Sequence, residues 1–316
     1  MLRWDDVYKV VVAIAPLYVA LMLGYGSVKW WRIFTKEQCD GISRLVFYIT
    51  LPMFTVKFTA NIDPFHMNYP FIGADAVSKL IIVVVLAFWA NCSSKGSLCW
   101  SITSFSLTTW SSTLVVGVPL MKAMYGPMAV NLVVQSAVVQ AIIWGTILRS
   151  RPSFWVFMKV VGMKFATNPN SYACIVGLAW AFVANRWHFK MPSIIEGCIL
   201  IMSSAGIGTT MFSMGIFIAL QEKVIACGTS LTVFGMVLKF IAGPVAMAIG
   251  SLAVGLHDDV LHVAIILAAL PPSITSFVLA EEFGLHAEVL STTIIIGTIV
   301  SLPVMIAFYA ILELIH

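Results

Sequence analysis

Charge is scarce in this chain: 14 acidic and 18 basic residues occur among 316, or 10% of positions. A soluble domain carries roughly 25%. With 60% hydrophobic residues and a mean hydropathy of +0.98, the apolar surface exceeds what a water-soluble fold can bury. A polytopic membrane protein remains. Cys39, Cys92, Cys99, Cys174, Cys198 and Cys227 are scattered without metal-ligand spacing, which argues against a zinc site and a disulfide framework. His66, His188, His257, His262, His286 and His316 lack partners at ligand spacing, and no Gly-rich phosphate motif is present. The sequence thus encodes no catalytic constellation, no metal site, no cofactor site and no ATP-driven pump. The net charge of +4 resides in short loops, so nucleic acid is not an expected partner. No small-residue cleavage site follows the first apolar run, so that run is expected to stay as a span.

What is present is long apolar runs. A helix needs about 20 apolar residues to cross the hydrocarbon. Ten candidate spans follow: 7–28, 41–60, 71–91, 98–123, 128–149, 170–186, 193–220, 228–255, 259–281 and 288–312. Residues 150–168 form the longest hydrophilic stretch and read as a short interfacial loop. Loops after odd-numbered spans hold nine Lys or Arg against five on the opposite side. That bias places 150–168 in the cytosol and both termini across the membrane.

Two spans, one per half, contain prolines where a membrane helix should be continuous. Gly117-Val118-Pro119 falls in 98–125 and Leu270-Pro271-Pro272 in 260–283. Proline lacks an N–H and clashes with the preceding turn, so a helix break is expected at Pro119 and another at Pro271 and Pro272. Such breaks persist only where protein or a wet cavity satisfies the backbone. Paired interruptions in corresponding positions of two halves point to a carrier's binding site. Traces of a duplication agree: Met53-Phe54-Thr55-Val56 resembles Met211-Phe212-Ser213-Met214, and Lys79 and Lys239 recur at nearly the same separation. The expected fold is all-α, with ten transmembrane helices in two inverted five-helix repeats, 1–149 and 169–316, and broken, crossing helices 4 and 9.

Few charged groups fall inside these spans. Asp75 and Lys79 stand four apart on one helix face and can pair. An intramembrane charge marks a site or coupling element by default; the structural alternatives are a salt bridge or a snorkelling Lys79. Lys239, just before Gly243-Pro244, reads equally as a helix-pairing or functional lysine. Thr55 and Gln140 can hydrogen-bond a solute or a neighbouring helix. Asn168-Pro169-Asn170 has ordinary helix-start chemistry.

Several segments together carry a family resemblance. They include Ala15-Pro16-Leu17-Tyr18-Val19, Phe34 through Ile42, Gly117-Val118-Pro119-Leu120, Met124-Tyr125-Gly126 and Asn168 through Tyr172. Ile225 through Thr229, Leu238 through Pro244 and Leu285 through Thr292 complete the set. Over essentially its whole length the chain resembles the PIN auxin efflux carriers of plants. The resemblance implies a homodimer in lipid that exports indole-3-acetate from the cytosol without sodium coupling. It implies an elevator, with helices 1, 2, 6 and 7 as scaffold and 3–5 and 8–10 as transport part. It places the substrate carboxylate at the crossover, here Ser112, Pro271, Pro272 and Ile274, supported by Thr55, Asp75, Lys79 and Gln140. The short 150–168 stretch resembles the short-loop, endoplasmic-reticulum branch, with the plasma membrane as the alternative.

The chain departs from the family pattern where Leu-Pro-Asn is replaced by Trp110-Ser111-Ser112, and Leu-Pro-Gln-Gly by Leu270-Pro271-Pro272-Ser273. A helix 5 Tyr is replaced by Gly145. Losing one hydrogen bond to an anion costs about 1.5–3 kcal/mol, roughly ten- to a hundredfold in affinity. Weaker binding, a shifted substrate range or a non-transporting, hormone-binding relative follow as alternatives, beside an ion-coupled carrier of another anion.

Overall fold

The computed structural model describes residues 4–92, 97–147, 169–221, 223, 225–282 and 285–315. The loop expected at 150–168, with Asn168, lies outside these residues. All regular structure among the described residues is helical. The elements are α1 (Trp4–Lys29), α2 (Lys36–Leu45), α3 (Leu51–Thr59), α4 (Tyr69–Cys92), α5 (Leu98–Thr109) and α6 (Val118–Ile147). They continue with α7 (Pro169–Trp187), α8 (Ser193–Leu220), α9 (Thr229–Val237), α10 (Gly243–Val254), α11 (Asp258–Ala268), α12 (Ile274–Glu282) and α13 (Ala287–Ile315). Among the described residues six helical stretches are long and apolar enough to cross a membrane. One of them, Thr113–Gln140, is not a single rod, because Gly126 breaks it at φ 74°, ψ −156°. Large apolar side chains such as Phe88, Ile194 and Ile201 face outward, as a lipid-solvated surface requires. The protein is a helical, polytopic membrane protein.

Local chemistry explains the helix ends. Thr35 and Gln38 form a reciprocal capping box that starts α2. Ser97 accepts the Trp100 N–H at the start of α5. At the end of α10, Gly255 takes the left-handed conformation, and Leu256 N–H closes back on Ser251 O at 2.9 Å.

Among the described residues three π turns lead directly into helices: Val46–Thr50, Thr113–Gly117 and Leu238–Ala242. Each ends two residues before a proline, namely Pro52, Pro119 and Pro244. A proline ring clashes with the carbonyl four residues back. Widening the turn ahead of it relieves that clash, and Leu51, Gly117 and Gly243 N–H groups reach back five residues, to Val46, Ser112 and Leu238. Pro119 is therefore not a break. The sequence expectation is corrected here: the interruption lies ahead of it, at Trp110–Ser112, and Pro119 sits inside continuous helix.

The chain divides into two compact units, each drawing on both halves of the sequence. Unit 1 comprises Met1–Ile14, Asn68–Val133 and Gln221–His316; unit 2 comprises Ala15–Met67 and Val134–Leu220. In lipid, helices gain little from burying apolar surface and associate through close packing and polar contacts. Unit 2 follows that rule with glycines: a Cβ on Gly24 would overlap the Phe212 carbonyl, and one on Gly215 the Leu21 carbonyl. Thr50 and Ser43 meet Thr209 and Ser213 of α8. In unit 1, α4 runs along α10, where a Cβ on Gly250 would lie 2.8 Å from Ala74 O and 2.9 Å from Ser78 N. That approach brings the helix carrying Asp75 and Lys79 against the one that continues from Lys239.

Candidate functional site

Two interrupted helices of unit 1 meet at their breaks. The first is α5, the break Trp110–Ser112, and the helix from Thr113; the second is α11, the break Ala269–Ser273, and α12. Ser111 and Pro272 form an isolated antiparallel bridge. Its two bonds run from Ser112 N–H to Pro271 O, 2.9 Å, and from Ser273 N–H to Trp110 O, 3.3 Å. In this pairing the groups of the central residues themselves point away from the partner. Proline at 272 thus forfeits no bridge bond, which explains how Pro271-Pro272 fits a buried crossing. Gly297 of α13 leaves room for the Pro272 ring, its Cβ position lying 3.2 Å from Pro272 Cδ.

The two restarting helices are capped differently. Ser273 Oγ accepts the Thr275 N–H at 3.3 Å and so caps α12. Ser112, at the N-cap of the other helix, makes no side-chain capping bond. A helix N-terminus carries orphan N–H donors and a partial positive charge, both suited to a carboxylate. The structure thus brings Ser112, Pro271, Pro272 and Ile274 to one place. On the other side, the Trp110 N–H donates to Ser106 O and the Thr109 hydroxyl donates to Phe105 O.

Charges are buried beside this crossing. Lys79 Nζ lies 2.6 Å from Asp75 Oδ2, and both side chains are almost inaccessible. Snorkelling of Lys79 is thereby replaced by pairing. Lys239 has no exposed surface and donates to Ser111 Oγ at 2.6 Å. Sequence reasoning left Lys239 undecided and did not place Ser111; their bond spans 128 positions and leaves no local signal.

The remaining predicted residues lie in unit 2. Thr55 Oγ1 donates to Asn170 Oδ1, so its hydroxyl is already engaged between helices. Gln140 is half-buried in α6 and also has a polar partner. A cluster of three or more metal-ligating side chains does not occur among the described residues.

Interrupted apolar helices joined at their breaks, with buried charge beside them, define a membrane carrier of the discontinuous-helix kind. Residues 9–150 and 149–309 match the family described as membrane transport protein. The chain is 61% identical to auxin efflux carrier component 5 of Arabidopsis thaliana and 52% identical to probable auxin efflux carrier component 5a of Oryza sativa subsp. japonica. Both matches cover all of both chains. Auxin efflux carrier component 8 of Arabidopsis thaliana is 33% identical over 99% of this chain and 100% of its own. The chain belongs to the auxin efflux carriers, the PIN family of membrane transport proteins.

Proposed function

We propose that this protein exports the indole-3-acetate anion from the cytosol into the endoplasmic-reticulum lumen, by elevator-type alternating access and without sodium coupling. The carrying observation is the joined pair of helix breaks at Ser111 and Pro272, in a chain of the auxin efflux family. The reading takes ten spans in two inverted five-helix repeats. The helix pair α2–α3, α7 and the interrupted helix α11–α12 supply three spans that length and hydropathy alone do not count, and the single stretch Thr113–Gln140 divides at Gly126 between spans 4 and 5. Helices 1, 2, 6 and 7 serve as scaffold and 3–5 and 8–10 as the transport part. Two compact units that each draw on both halves support such a division, with the residues of helix 5 from Val134 on grouped with the scaffold helices.

In this reading the carboxylate docks at the uncapped helix start after Ser112, with Pro271, Pro272 and Ile274 as the opposite wall. Asp75 and Lys79 support the site from α4, with Thr55 of helix 2 and Gln140 of helix 5 as the further supporting groups. The protein works as a homodimer in lipid. The short 150–168 stretch supports the endoplasmic reticulum over the plasma membrane.

The test is flux of labelled indole-3-acetate in proteoliposomes, with binding titrations on wild type and Ser112→Asn. Saturable flux is expected. The restored amide should tighten binding about tenfold or more. Folded protein without saturable flux sinks the carrier reading, and unchanged affinity in Ser112→Asn moves the site away from the crossover. Trp110-Ser111-Ser112 favours one alternative, a non-transporting or substrate-shifted relative that binds auxin-like anions or pairs with active carriers. Binding or heterodimerisation without flux would identify it.

A further inference from the structure

Lys239 is a fully buried lysine whose ammonium touches one neutral hydroxyl, Ser111 Oγ. It belongs to neither the Asp63–His66 pair nor the Asp75–Lys79 pair. Burying an ammonium is costly unless other groups stabilise the charge. The backbone here provides such groups. Lys239 belongs to the π turn leading into α10, and Gly243 follows one turn later. A Cβ on Gly243 would lie 3.1 Å from Thr108 O and 3.5 Å from Ala268 O. These carbonyls sit in the last turns of α5 and α11, so this helix face crosses the C-terminal ends of both interrupted helices. Such ends carry partial negative charge and stabilise a cation.

In carriers with discontinuous helices, the C-terminal ends and unwound carbonyls hold the coupling cation, while the N-terminal ends hold the anionic group of the substrate. Here the C-terminal ends meet an ammonium tethered to the chain. We infer that Lys239 is a built-in counter-cation for the carboxylate at the crossover, standing where an ion-coupled carrier would bind a free cation. The inference rests on the reading of this protein as a carrier of a carboxylate.

A charge consequence follows. Among the described residues the buried formal charges are Asp75, Lys79 and Lys239, all in unit 1. Asp75 and Lys79 cancel at 2.6 Å, leaving one positive charge. A bound monoanion cancels that charge. The loaded site therefore crosses the membrane without net charge, and the empty site returns with one positive charge. One negative charge still moves per cycle, but the membrane potential acts on the return step.

The experiment uses the full chain in proteoliposomes, with the potential clamped by a potassium gradient and valinomycin and labelled indole-3-acetate as probe. Exchange of labelled for unlabelled substrate uses loaded crossings in both directions. Its rate is expected to stay within about twofold on applying 100 mV, while net flux changes severalfold, since one charge in that full field gains about 2.3 kcal/mol. Exchange that tracks the potential as steeply as net flux overturns the inference, as does a requirement for sodium. In parallel, binding of indole-3-acetate and of neutral indole-3-acetamide is compared. Lys239→Gln is expected to lose about tenfold or more of the preference for the carboxylate, and Lys239→Arg to keep it. An unchanged preference in Lys239→Gln overturns the inference; if that variant does not fold, the wild-type exchange measurement decides. Wild type that neither binds nor moves indole-3-acetate refutes the carrier reading itself, and the inference falls with it.

Discussion

Two acid–base pairs, one in each unit, have nearly equal contact lengths and opposite surroundings. Asp63 and His66 meet at 2.7 Å in the loop after α3, with side chains 41% and 84% exposed. Asp75 and Lys79 meet at 2.6 Å on α4, with side chains 10% and 6% exposed. Water screens the first pair, so it does little beyond shaping its loop. The second has no such solvent, and neither charge can lose its partner cheaply. Distance alone does not rank these contacts; burial does. The same contrast separates the units: both close through glycines against backbone, but only unit 1 buries formal charge among the described residues, around its broken helices.

The largest expected effect comes from breaking the dry pair. Lys79→Met leaves the Asp75 carboxylate buried and unpaired and should cost about 3–5 kcal/mol in chemical unfolding of the purified protein. The double variant Asp75→Asn/Lys79→Met should recover much of that loss. A cost below about 1 kcal/mol for the single variant would mean the pair is wet and erase the contrast. Next comes the steric closure of unit 2. Gly215→Val drives a side chain into the Leu21 carbonyl and the Tyr25 N–H and should cost about 3 kcal/mol or more.

Gly41, in α2 with open space around its Cβ position, behaves oppositely. There Gly41→Ala should raise stability by up to about 1 kcal/mol, through helix propensity alone. Equal responses at the two glycines would show that packing does not distinguish them. The smallest effect is at the wet pair. The His66 hydrogen bond, joined by the Phe65 N–H, holds the Asp63 carboxyl below its ordinary pKa. Its small contribution to stability is present above the unfolded value, about 3.9, and is lost as pH falls through the depressed folded value. His66→Ala should raise the Asp63 midpoint in an NMR titration and leave the melting temperature unchanged.

The Asp75–Lys79 pair was readable because both partners lie one helical turn apart on a single span. The second break was readable because it contains its own prolines, Pro271 and Pro272. The first was misplaced at Pro119 because Trp110-Ser111-Ser112 contains no residue that forbids helix; tertiary pairing with Pro271 and Ser273 opens it. Prolines 52, 119 and 244 look alike in sequence to a helix breaker, yet a widened preceding turn accommodates each one. Lys239 as part of the site required the fold, since Ser111, Thr108 and Ala268 are all remote in the chain. Family resemblance supplied the membership and the crossover; the physical reading of residues supplied the class, the charges and one of the two breaks.

The π turns also set rotational phase. Each accommodates one residue more than an α-helical turn, and each residue of an α-helix turns the downstream face by about 100°. In the helix from Thr229 to Val254, that offset aligns Lys239 and Gly243 with the crossing while Gly250 meets α4. Deleting one residue from Leu238–Ala242 would leave hydropathy and span length almost unchanged. It would swing Gly250 about a quarter turn off α4 and present a bulkier neighbour to Ala74. Variation at this position would thus alter the face of the helix while passing unnoticed in any hydropathy profile.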